Sequence, residues 1–299
     1  MLINKQNLND LFTQAKVTFH KAFDAAPSVW QEIAMEVPST SGQNDYKWLS
    51  NFPKMRRWIG EKFIKSLAAF KYVVVNDDFE ATVEVDRNDI EDDNIGFIGP
   101  QTQGAAFSSK QWPDEMVFEA VNRGTTAACF DGQYFFDTDH PVGDGVVSNK
   151  YSLALDISTV TQAKATFGAV RAGMMGIKDD EGRPLNVTPN KVLCGPALAA
   201  DFRILATSEK LDDGKPNPYR GTFTVVEDAR IESATAWYLL DMTKPVKPFI
   251  FQPRKKPVFV SQTDLNSDNV FMRKKYRFGA EARGAAGYGF WQLAAQGNQ

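Results

Sequence analysis

Two distant segments of the sequence alternate apolar and charged side chains with a period of two. Residues 79–86 (FEATVEVD) place apolar side chains at every second position and mostly acidic ones between them. Residues 270–278 (VFMRKKYRF) repeat the pattern with basic side chains. Because successive side chains of a strand point to opposite faces, each run predicts a half-buried strand with one charged, solvated face.

The charge of the whole chain is segregated in a similar way. The net charge is only -3, but residues 1–75 hold ten basic and six acidic side chains, residues 76–93 one basic and nine acidic, and residues 254–283 eight basic and three acidic. The small total gives no overall field that would recruit nucleic acid. The blocks are either solvated faces of one subunit or complementary surfaces that meet between copies, where opposite patches set register and orientation.

The composition excludes several classes of protein. With 43% hydrophobic and 24% charged residues, the chain is not intrinsically disordered. A mean hydropathy of -0.35, without an apolar run long enough to span a bilayer, excludes a membrane-spanning protein. The first residues lack a charged-then-apolar signal, so we do not expect secretion. Two cysteines, Cys129 and Cys194, indicate a reducing compartment.

Hydrophobic periodicity predicts the main elements. An apolar stripe from Leu8 to Phe23 predicts an N-terminal amphipathic helix. Residues 72–75 and 79–86, with a turn at 76–78, predict a strand pair. A helix is expected to begin at Pro113 and end at Gly124. The second half predicts helices at 160–174 and after Pro196 and strands at 191–194, 222–226, 236–241, 249–253 and 287–294, without an internal repeat.

Residues 46–75 interleave aromatic and basic side chains, as in Arg56, Arg57 and Trp58. Such a segment can be a platform for single-stranded nucleic acid, on which bases stack while cations follow the phosphates. It can also be a protein-contact arm, since Trp, Arg and Met are enriched in interface cores. The third interpretation is an ordinary core segment with lysines that extend to solvent. The sequence alone leaves all three open.

None of the candidate catalytic or metal-binding residues comes with the partner residues that its chemistry needs. Asp137, Asp139 and His140 could bind a metal and support a metal-dependent hydrolase, but the chain has only two histidines, and Asp is also a turn former. Cys194 has apolar neighbours and no nearby base, as a packing residue does. No phosphate-binding glycine motif is present. We therefore expect no catalytic residue, no cofactor and no metal.

One eleven-residue motif and several shorter ones point to a known family. The motif is DGQYFFDTDHP at 131–141. The others are VDR at 85–87, IEDD at 90–93, PDE at 113–115, WYLLD at 237–241, YRFG at 276–279 and GYGFWQ at 287–292. In order and spacing the chain resembles the major head subunit of Mu-like tailed phages and prophages, the T-protein family, over essentially its whole length.

The resemblance implies an α+β fold of the Hong Kong 97 phage capsid type. That fold has an N-terminal arm, an extended hairpin loop, a peripheral domain with a spine helix and an axial domain. The expected ranges are 1–45 for the arm, 46–78 for the loop, 79–145 with 255–299 for the peripheral domain, and 146–254 for the axial domain. Pro113 is expected to kink or split the spine helix.

The resemblance also implies a structural function without enzymatic activity. The chain would be a major capsid protein that forms hexamers and pentamers of an icosahedral shell around double-stranded DNA. Its partners would be its own copies, a scaffold protein and a portal during assembly, packaged DNA through weak non-specific contact, and a decoration protein where the phage has one, with no membrane. It would reside in the virion capsid and assemble in the bacterial host cytoplasm.

In such shells the extended loop lies over the peripheral domain of an adjacent subunit, which gives the charge blocks a cause. The expected intersubunit contacts are Lys54, Arg56, Arg57, Lys62 and the apolar anchor Trp58 on the loop, and Glu80, Glu84 and Asp86 on the neighbour. Each exposed ion pair contributes at most about 1 kcal/mol. Repetition around a closed shell would make assembly cooperative.

Overall fold

The computed structural model describes residues 5–46, Leu49, 72–92, 94–264 and 267–298. Within these residues the helices are α1 (Lys5–Ala25), α2 (Arg87–Glu91), α3 (Ile98–Asn122), α4 (Val160–Ala163), α5 (Ala169–Met175), α6 (Pro196–Thr207) and α7 (Asp268–Arg273). The strands are β1 (Ala34–Glu36), β2 (Gln43–Asp45), β3 (Val73–Val75), β4 (Asp77–Asp86), β5 (His140–Val142), β6 (Gly145–Val147), β7 (Lys150–Ser152), β8 (Lys191–Cys194), β9 (Thr224–Glu227), β10 (Trp237–Leu240), β11 (Phe249–Gln262), β12 (Lys275–Tyr288) and β13 (Ala294–Asn298). None of the described helices combines the length and apolarity needed to cross a membrane.

The first sheet has the strand order β1-β11-β12-β4, with β1 parallel to β11 and the other neighbours antiparallel. Helices α1 and α3 pack on one face, where Val85 of β4 and Phe278 of β12 are buried. Phe12 and Phe19 of α1 are buried against the same layer, which confirms the predicted amphipathic helix. The opposite face carries the charged side chains of both alternating runs.

The strand pair predicted for residues 72–86 is wrong. β3 pairs with β2, whereas β4 pairs with β12. The reason lies at Asn76, which is buried rather than placed in a solvent-facing turn. Its Nδ2 donates to Ser39 Oγ at 3.0 Å, and its Oδ1 accepts from Gln252 Nε2 at 2.7 Å. These bonds tie the chain to the first sheet between the two strands, so β3 and β4 diverge.

Strands β2 and β3 form a two-stranded base for residues 47–71, because Asp45 is paired with Val73. The described residues on the two sides of this segment are therefore held together, and Tyr46 N–H donates to the Tyr72 carbonyl at 2.8 Å. The base is fastened by Tyr46, whose hydroxyl donates to Gln252 Oε1 at 2.7 Å in a buried site.

Helix α3 begins at Ile98, fifteen residues before the predicted start, and Pro113 lies inside it. The sequence therefore misplaces the start, and the helix is not split. Asp114 would lie in the first turn of a helix that began at Pro113, where acidic residues are favourable. In the structure it is buried, and its carboxylate accepts the backbone N–H groups of Val29 and Trp30 at 2.8 and 2.6 Å. The acidic residue thus anchors the segment after α1 to the middle of α3.

The strand predicted for 270–278 begins later than expected. Residues up to Arg273 belong to α7, and β12 starts at Lys275. Lys274 separates the two with a φ of 55°, a left-handed conformation that ends the helix. The last predicted strand, 287–294, is also divided: β12 ends at Tyr288, and β13 begins after a 3₁₀ turn.

The second sheet has the order β7-β13-β10-β8-β9 and confirms the strands predicted near 191–194, 222–226 and 236–241. All four residues of β10 are buried. Trp237 packs between Phe167 and Phe202, with ring centroids 5.8 and 5.4 Å away. The predicted helix at 160–174 is present as α4 and α5, joined by the π-helical turn Lys164–Gly168.

The two sheets cut across the predicted division of the chain. β13, from the range expected in the peripheral domain, lies inside the second sheet between β7 and β10. β11 begins at Phe249, within the expected axial range, but belongs to the first sheet, and so does β1 from the expected arm. Each sheet thus draws strands from distant parts of the sequence.

Three seven-residue turns, at 128–134, 178–184 and 210–216, share one hydrogen-bond pattern. In each, the first and seventh residues form an isolated antiparallel bridge. The second N–H donates to the sixth carbonyl, and the fifth N–H donates to the second carbonyl. The fifth residue is always a glycine with positive φ: Gly132, Gly182 and Gly214. KDDEGRP and KLDDGKP are also alike in sequence, so the expectation of no internal repeat is wrong at this scale.

Candidate intersubunit surface

The outward face of the first sheet is an ion-pair ladder between β4 and β12. The antiparallel register places three acidic residues of β4 directly opposite three basic residues of β12. The pairs are Glu84–Arg277, Asp86–Lys275 and Asp78–Arg283, with nitrogen–oxygen distances of 2.7, 3.4 and 3.3 Å. The acidic and basic faces recognised in the sequence therefore meet within one chain.

Glu80 is the exception in this ladder. It stands opposite Glu281, and like charges directly across a sheet are unfavourable. Lys255 Nζ of β11 lies 2.9 Å from Glu281 Oε2 and neutralises that residue. Glu80 is exposed and accepts a hydrogen bond from the Thr82 hydroxyl, with no cation paired to it among the described residues. It can therefore receive a cation from another chain without losing an existing ion pair.

Asp86 has a local structural role. Its carboxylate accepts the backbone N–H of Asn88 at 2.8 Å and caps the N-terminus of α2. This hydrogen bond, followed by the hydrogen bond and charge of Lys275, holds the pKa of Asp86 below its usual value. A contact with another subunit would have to share this carboxylate with both groups.

The structure places part of the predicted contact set. Glu80, Glu84 and Asp86 lie on one face of β4, as expected for alternate residues. Their expected partners lie outside the described residues: Lys54, Arg56, Arg57, Trp58 and Lys62. The intersubunit pairing therefore stays a prediction. Sequence reasoning missed the intrachain partner β12, although the opposite charges at matching period-two spacing were a usable signal.

His140 lies in a second polar cluster, fully buried under the ring of Trp291. The two ring centroids are 3.9 Å apart with an interplanar angle of 10°. His140 Nδ1 is 2.7 Å from Asp131 Oδ2, and Nε2 is 3.2 Å from Asn149 Oδ1. The same Asn149 oxygen accepts the backbone N–H of Asp137 at 2.9 Å. Both ring nitrogens thus lie within hydrogen-bond distance of an oxygen acceptor.

Cys129 completes this cluster, with its Sγ 3.0 Å from Asp131 Oδ1. Burial, and then the charge of Asp131, raise the pKa of the Cys129 thiol far above its usual value. Cys129 is thus a hydrogen-bond donor and not a thiolate nucleophile. Burial alone would raise the pKa of Asp131, but hydrogen bonds from His140 and Cys129 outweigh it and lower that pKa.

The alternative of a metal site at Asp137, Asp139 and His140 finds no assembled ligand set in the structure. The Asp137 carboxylate accepts backbone N–H groups of its own loop, and Asp139 is exposed. The ligand-type atoms that do converge belong to Cys129, Asp131 and His140, within 4.8 Å of one another. They already satisfy each other by hydrogen bonding. This cluster, hereafter the Asp131 pin, therefore fastens the 128–134 turn to β5.

Comparisons with known proteins agree with a structural role for the cluster of Cys129, Asp131 and His140. The model of the family described as Mu-like prophage major head subunit gpT matches residues 8–157, 151–231 and 226–299. The major capsid protein of Escherichia phage Mu is 32% identical over 294 residues, which are 98% of this chain and 74% of that protein. The chain belongs to the Mu-like major head subunit family. The Mu-like prophage FluMu major head subunit of Haemophilus influenzae is 31% identical, covering 95% of this chain and 70% of that protein.

Solved capsid structures confirm the predicted Hong Kong 97-type α+β fold of this family member. A chain from the procapsid of bacteriophage JBD30 aligns with a TM-score of 0.64 and 33% identity, over 99% of this chain and 76% of that chain. A chain from the JBD30 capsid gives 0.61 and 28%, over 70% and 92%. The virus-like particle from Pyrococcus furiosus, at 7% identity and a TM-score of 0.51 over 95% and 98%, shares the fold alone.

Family membership settles the class of function. The protein is a major head subunit, a structural capsid protein and not an enzyme, as the resemblance implied. Neither the nucleic-acid-binding nor the hydrolase alternative is supported by these relatives. The motif that carried the resemblance, residues 131–141, contains two members of the Asp131 pin.

Proposed function

We propose that this chain assembles with its own copies into hexamers and pentamers of an icosahedral head that encloses double-stranded DNA. The observation that carries the proposal is the family match from residue 8 to 299, together with the JBD30 procapsid subunit that aligns over 99% of the chain. A separate scaffold protein and a portal take part in assembly within the host cytoplasm. Packaged DNA makes only weak, non-specific contacts, and a decoration protein can bind the finished head.

The fold supports a revised division into domains. The first sheet with α1 and α3 forms the peripheral domain, and α3 is its spine. The second sheet with α4, α5 and α6 forms the axial domain, which includes β13. Residues 47–71, bounded by the β2–β3 base, form most of the extended loop.

The loop meets the acidic face of an adjacent subunit. Its basic residues Lys54, Arg56, Arg57 and Lys62 face β4, and Trp58 is the apolar anchor. Glu80 is the main acceptor because Glu84 and Asp86 already have partners in their own chain. Such pairs are individually weak, so the contact depends on repetition around the shell.

Electron microscopy of the expressed full chain, alone and with the scaffold of its own phage, tests the function. We expect closed shells under at least one condition. Monomers under both conditions would contradict the proposal.

Charge reversal tests the loop contact. Arg56→Glu with Arg57→Glu should reduce shell yield and weaken its salt dependence, and adding Glu80→Lys should restore part of the yield. Lys178→Glu, an exposed charge in a surface turn, is the matched control. Unchanged assembly and salt dependence in the doubly reversed chain would rule this pairing out.

A further inference from the structure

The hydrogen-bond partners of His140 determine how many protons its buried ring carries. Nδ1 lies 2.7 Å from Asp131 Oδ2, and Nε2 lies 3.2 Å from Asn149 Oδ1. A neutral imidazole has one N–H donor, whereas the imidazolium has two. The number of protons on the ring therefore depends on whether Asp131 and Asn149 can donate to it or can only accept from it.

The amide of Asn149 can only accept from His140. Its Nδ2 donates to the carbonyl oxygens of Phe135 at 2.8 Å and Ala294 at 3.2 Å, and its Oδ1 accepts the backbone N–H of Asp137 at 2.9 Å. Turning the amide over would set its oxygen against two carbonyl oxygens and its NH₂ group against an N–H, so the oxygen is fixed toward Nε2. Nε2 must therefore carry a proton, because otherwise two lone pairs would meet in a fully buried site.

The carboxyl group of Asp131 is held in its ionised form. Its Oδ1 accepts the backbone N–H of Gln133 at 3.1 Å and the Cys129 thiol at 3.0 Å. Burial alone would raise the pKa of Asp131, but the hydrogen bonds from His140 and Cys129 outweigh it and lower that pKa. An ionised Asp131 has no proton to give, so Nδ1 of the ring must also donate.

The other neighbours of the ring favour a positive charge. Trp291 stacks on it with centroids 3.9 Å apart, and the face of an indole attracts a cation. The titratable side chains that face the ring are Asp131 and Cys129, within 4.8 Å of it. Asp137 directs its carboxylate to backbone N–H groups of its own loop, and Asp139 is exposed. Among the described residues no lysine or arginine pairs with Asp131, so the ring is the cation that offsets its charge.

We propose that His140 is an imidazolium in the folded subunit at neutral pH and acts as a pH-sensitive link between the 128–134 turn and the second sheet. The link runs from Asp131 through both ring nitrogens to Asn149, which holds Ala294, the first residue of β13. Loss of one ring proton places a lone pair opposite an oxygen atom and breaks the link at that end.

The sign of the pH dependence follows from proton counting. An unfolded histidine loses its proton around pH 6.5, whereas His140 keeps its proton in the fold. Above that pH the folded chain binds up to about one proton more than the unfolded chain, so the free energy of unfolding falls as the pH rises. This inference concerns the subunit itself and does not depend on shell assembly.

Nuclear magnetic resonance of the full-length, unassembled subunit with isotope-labelled histidine detects the ring protons directly. The chain has two histidines, and His20 is exposed on α1, so the variant His20→Gln assigns the signals. At about pH 7.5, where an exposed histidine is mostly neutral, both ring nitrogens of His140 should show the chemical shifts and proton couplings of N–H groups. A His140 ring nitrogen without a proton at that pH would overturn the proposal.

Urea denaturation of the same subunit at several pH values measures the effect on stability. From about pH 6.5 to 8.5 the free energy of unfolding should fall more steeply with pH in the wild type than in His140→Gln, and the slopes should differ by up to about one bound proton. The glutamine amide can still donate to Asp131 but does not titrate. His20→Gln is the matched control and should keep the wild-type slope. Equal slopes in wild type and His140→Gln would rule out the link.

Discussion

The turns at 128–134 and 210–216 have the same backbone pattern in opposite surroundings. In the first, the fourth residue is Asp131, which binds Cys129 and His140 beneath a tryptophan ring. In the second, the fourth residue is Asp213, which accepts backbone N–H groups in that turn and at the start of α4 and pairs with the exposed side chain of Lys215 at 3.6 Å. Both turns thus place an acid before a left-handed glycine, with different neighbours around the acid. Whether the turn also anchors the fold depends on what packs over the acid.

Asp131→Asn should have the largest effect on stability. The amide replaces the charged acceptor that His140 and Cys129 share in a buried site, and hydrogen bonds to a charged group contribute about 1.5–3 kcal/mol to the free energy of unfolding. Urea denaturation of the unassembled subunit measures the change. Asp213→Asn is the control and should have a smaller effect, because its amide keeps one of the two backbone hydrogen bonds and the only side chain paired with Asp213 among the described residues, Lys215, is exposed. Equal losses in the two variants would refute the distinction between the turns.

The role of Asp131 should also appear in how the stability of the subunit depends on acid pH. The pKa of Asp131 is lowered in the folded chain, so the unfolded chain binds its proton more readily. The carboxylate therefore makes its full contribution to the free energy of unfolding above its unfolded pKa of about 4. That contribution is lost as the pH falls below this value. Below about pH 4 the free energy of unfolding should fall more steeply with decreasing pH in the wild type than in Asp131→Asn. The two slopes should differ by up to about one bound proton. Parallel slopes in denaturation at several pH values would contradict this expectation.

Replacing the glycine that these turns share with alanine should lower stability by equal, intermediate amounts in the two exposed turns. Gly182 and Gly214 have φ of 75° and 72°, and a Cβ at either would meet open space. Alanine there is strained only by the backbone, at about 1 kcal/mol. Gly104→Ala is the control, because this α3 glycine also has open space but ordinary φ, and alanine should stabilise the helix by about 0.5–1 kcal/mol. Thermal melting shows whether each alanine variant is stabilised or destabilised.

The smallest effect is expected for Arg183→Ala in the 178–184 turn. Arg183 pairs with Asp179 and Glu181 at 3.2 and 2.6 Å, but these side chains are partly exposed. Solvent-screened pairs of this kind contribute at most about 0.5 kcal/mol. Melting temperatures at low and high salt should differ between wild type and variant only at low salt. A salt-independent loss would point to a packing role instead.

Local patterns predicted the elements well where burial was one-sided. The α1 stripe and the alternating run of β4 were found because one face of each is solvated and the other is apolar. The same method failed at Asn76 and at Lys274. In both places a single residue redirects the chain through a tertiary hydrogen bond or a left-handed conformation, and neither leaves a periodic signal.

The site was predictable in part. The acidic face of β4 follows from alternation alone, but its neutralisation by β12 depends on a pairing between residues almost 200 positions apart. Asp131 and His140 were noticed as chemistry-bearing residues, yet their structural role required the placement of Cys129 and Trp291. The joint exposure of Phe271 and Met272 was not predicted, because residues 270–278 were assigned to a strand, in which these two side chains would point to opposite faces.

The paired strands β2 and β3 also bear on how this family can vary. Because the two ends of residues 47–71 are fixed side by side, chain inserted between them adds mainly loop-closure entropy, about 0.6 kcal/mol for each doubling of length. The hydrogen bonds of Tyr46 and Asn76 below the base would be unaffected. The length of the chain between β2 and β3 can thus change over generations while the described body keeps its stability.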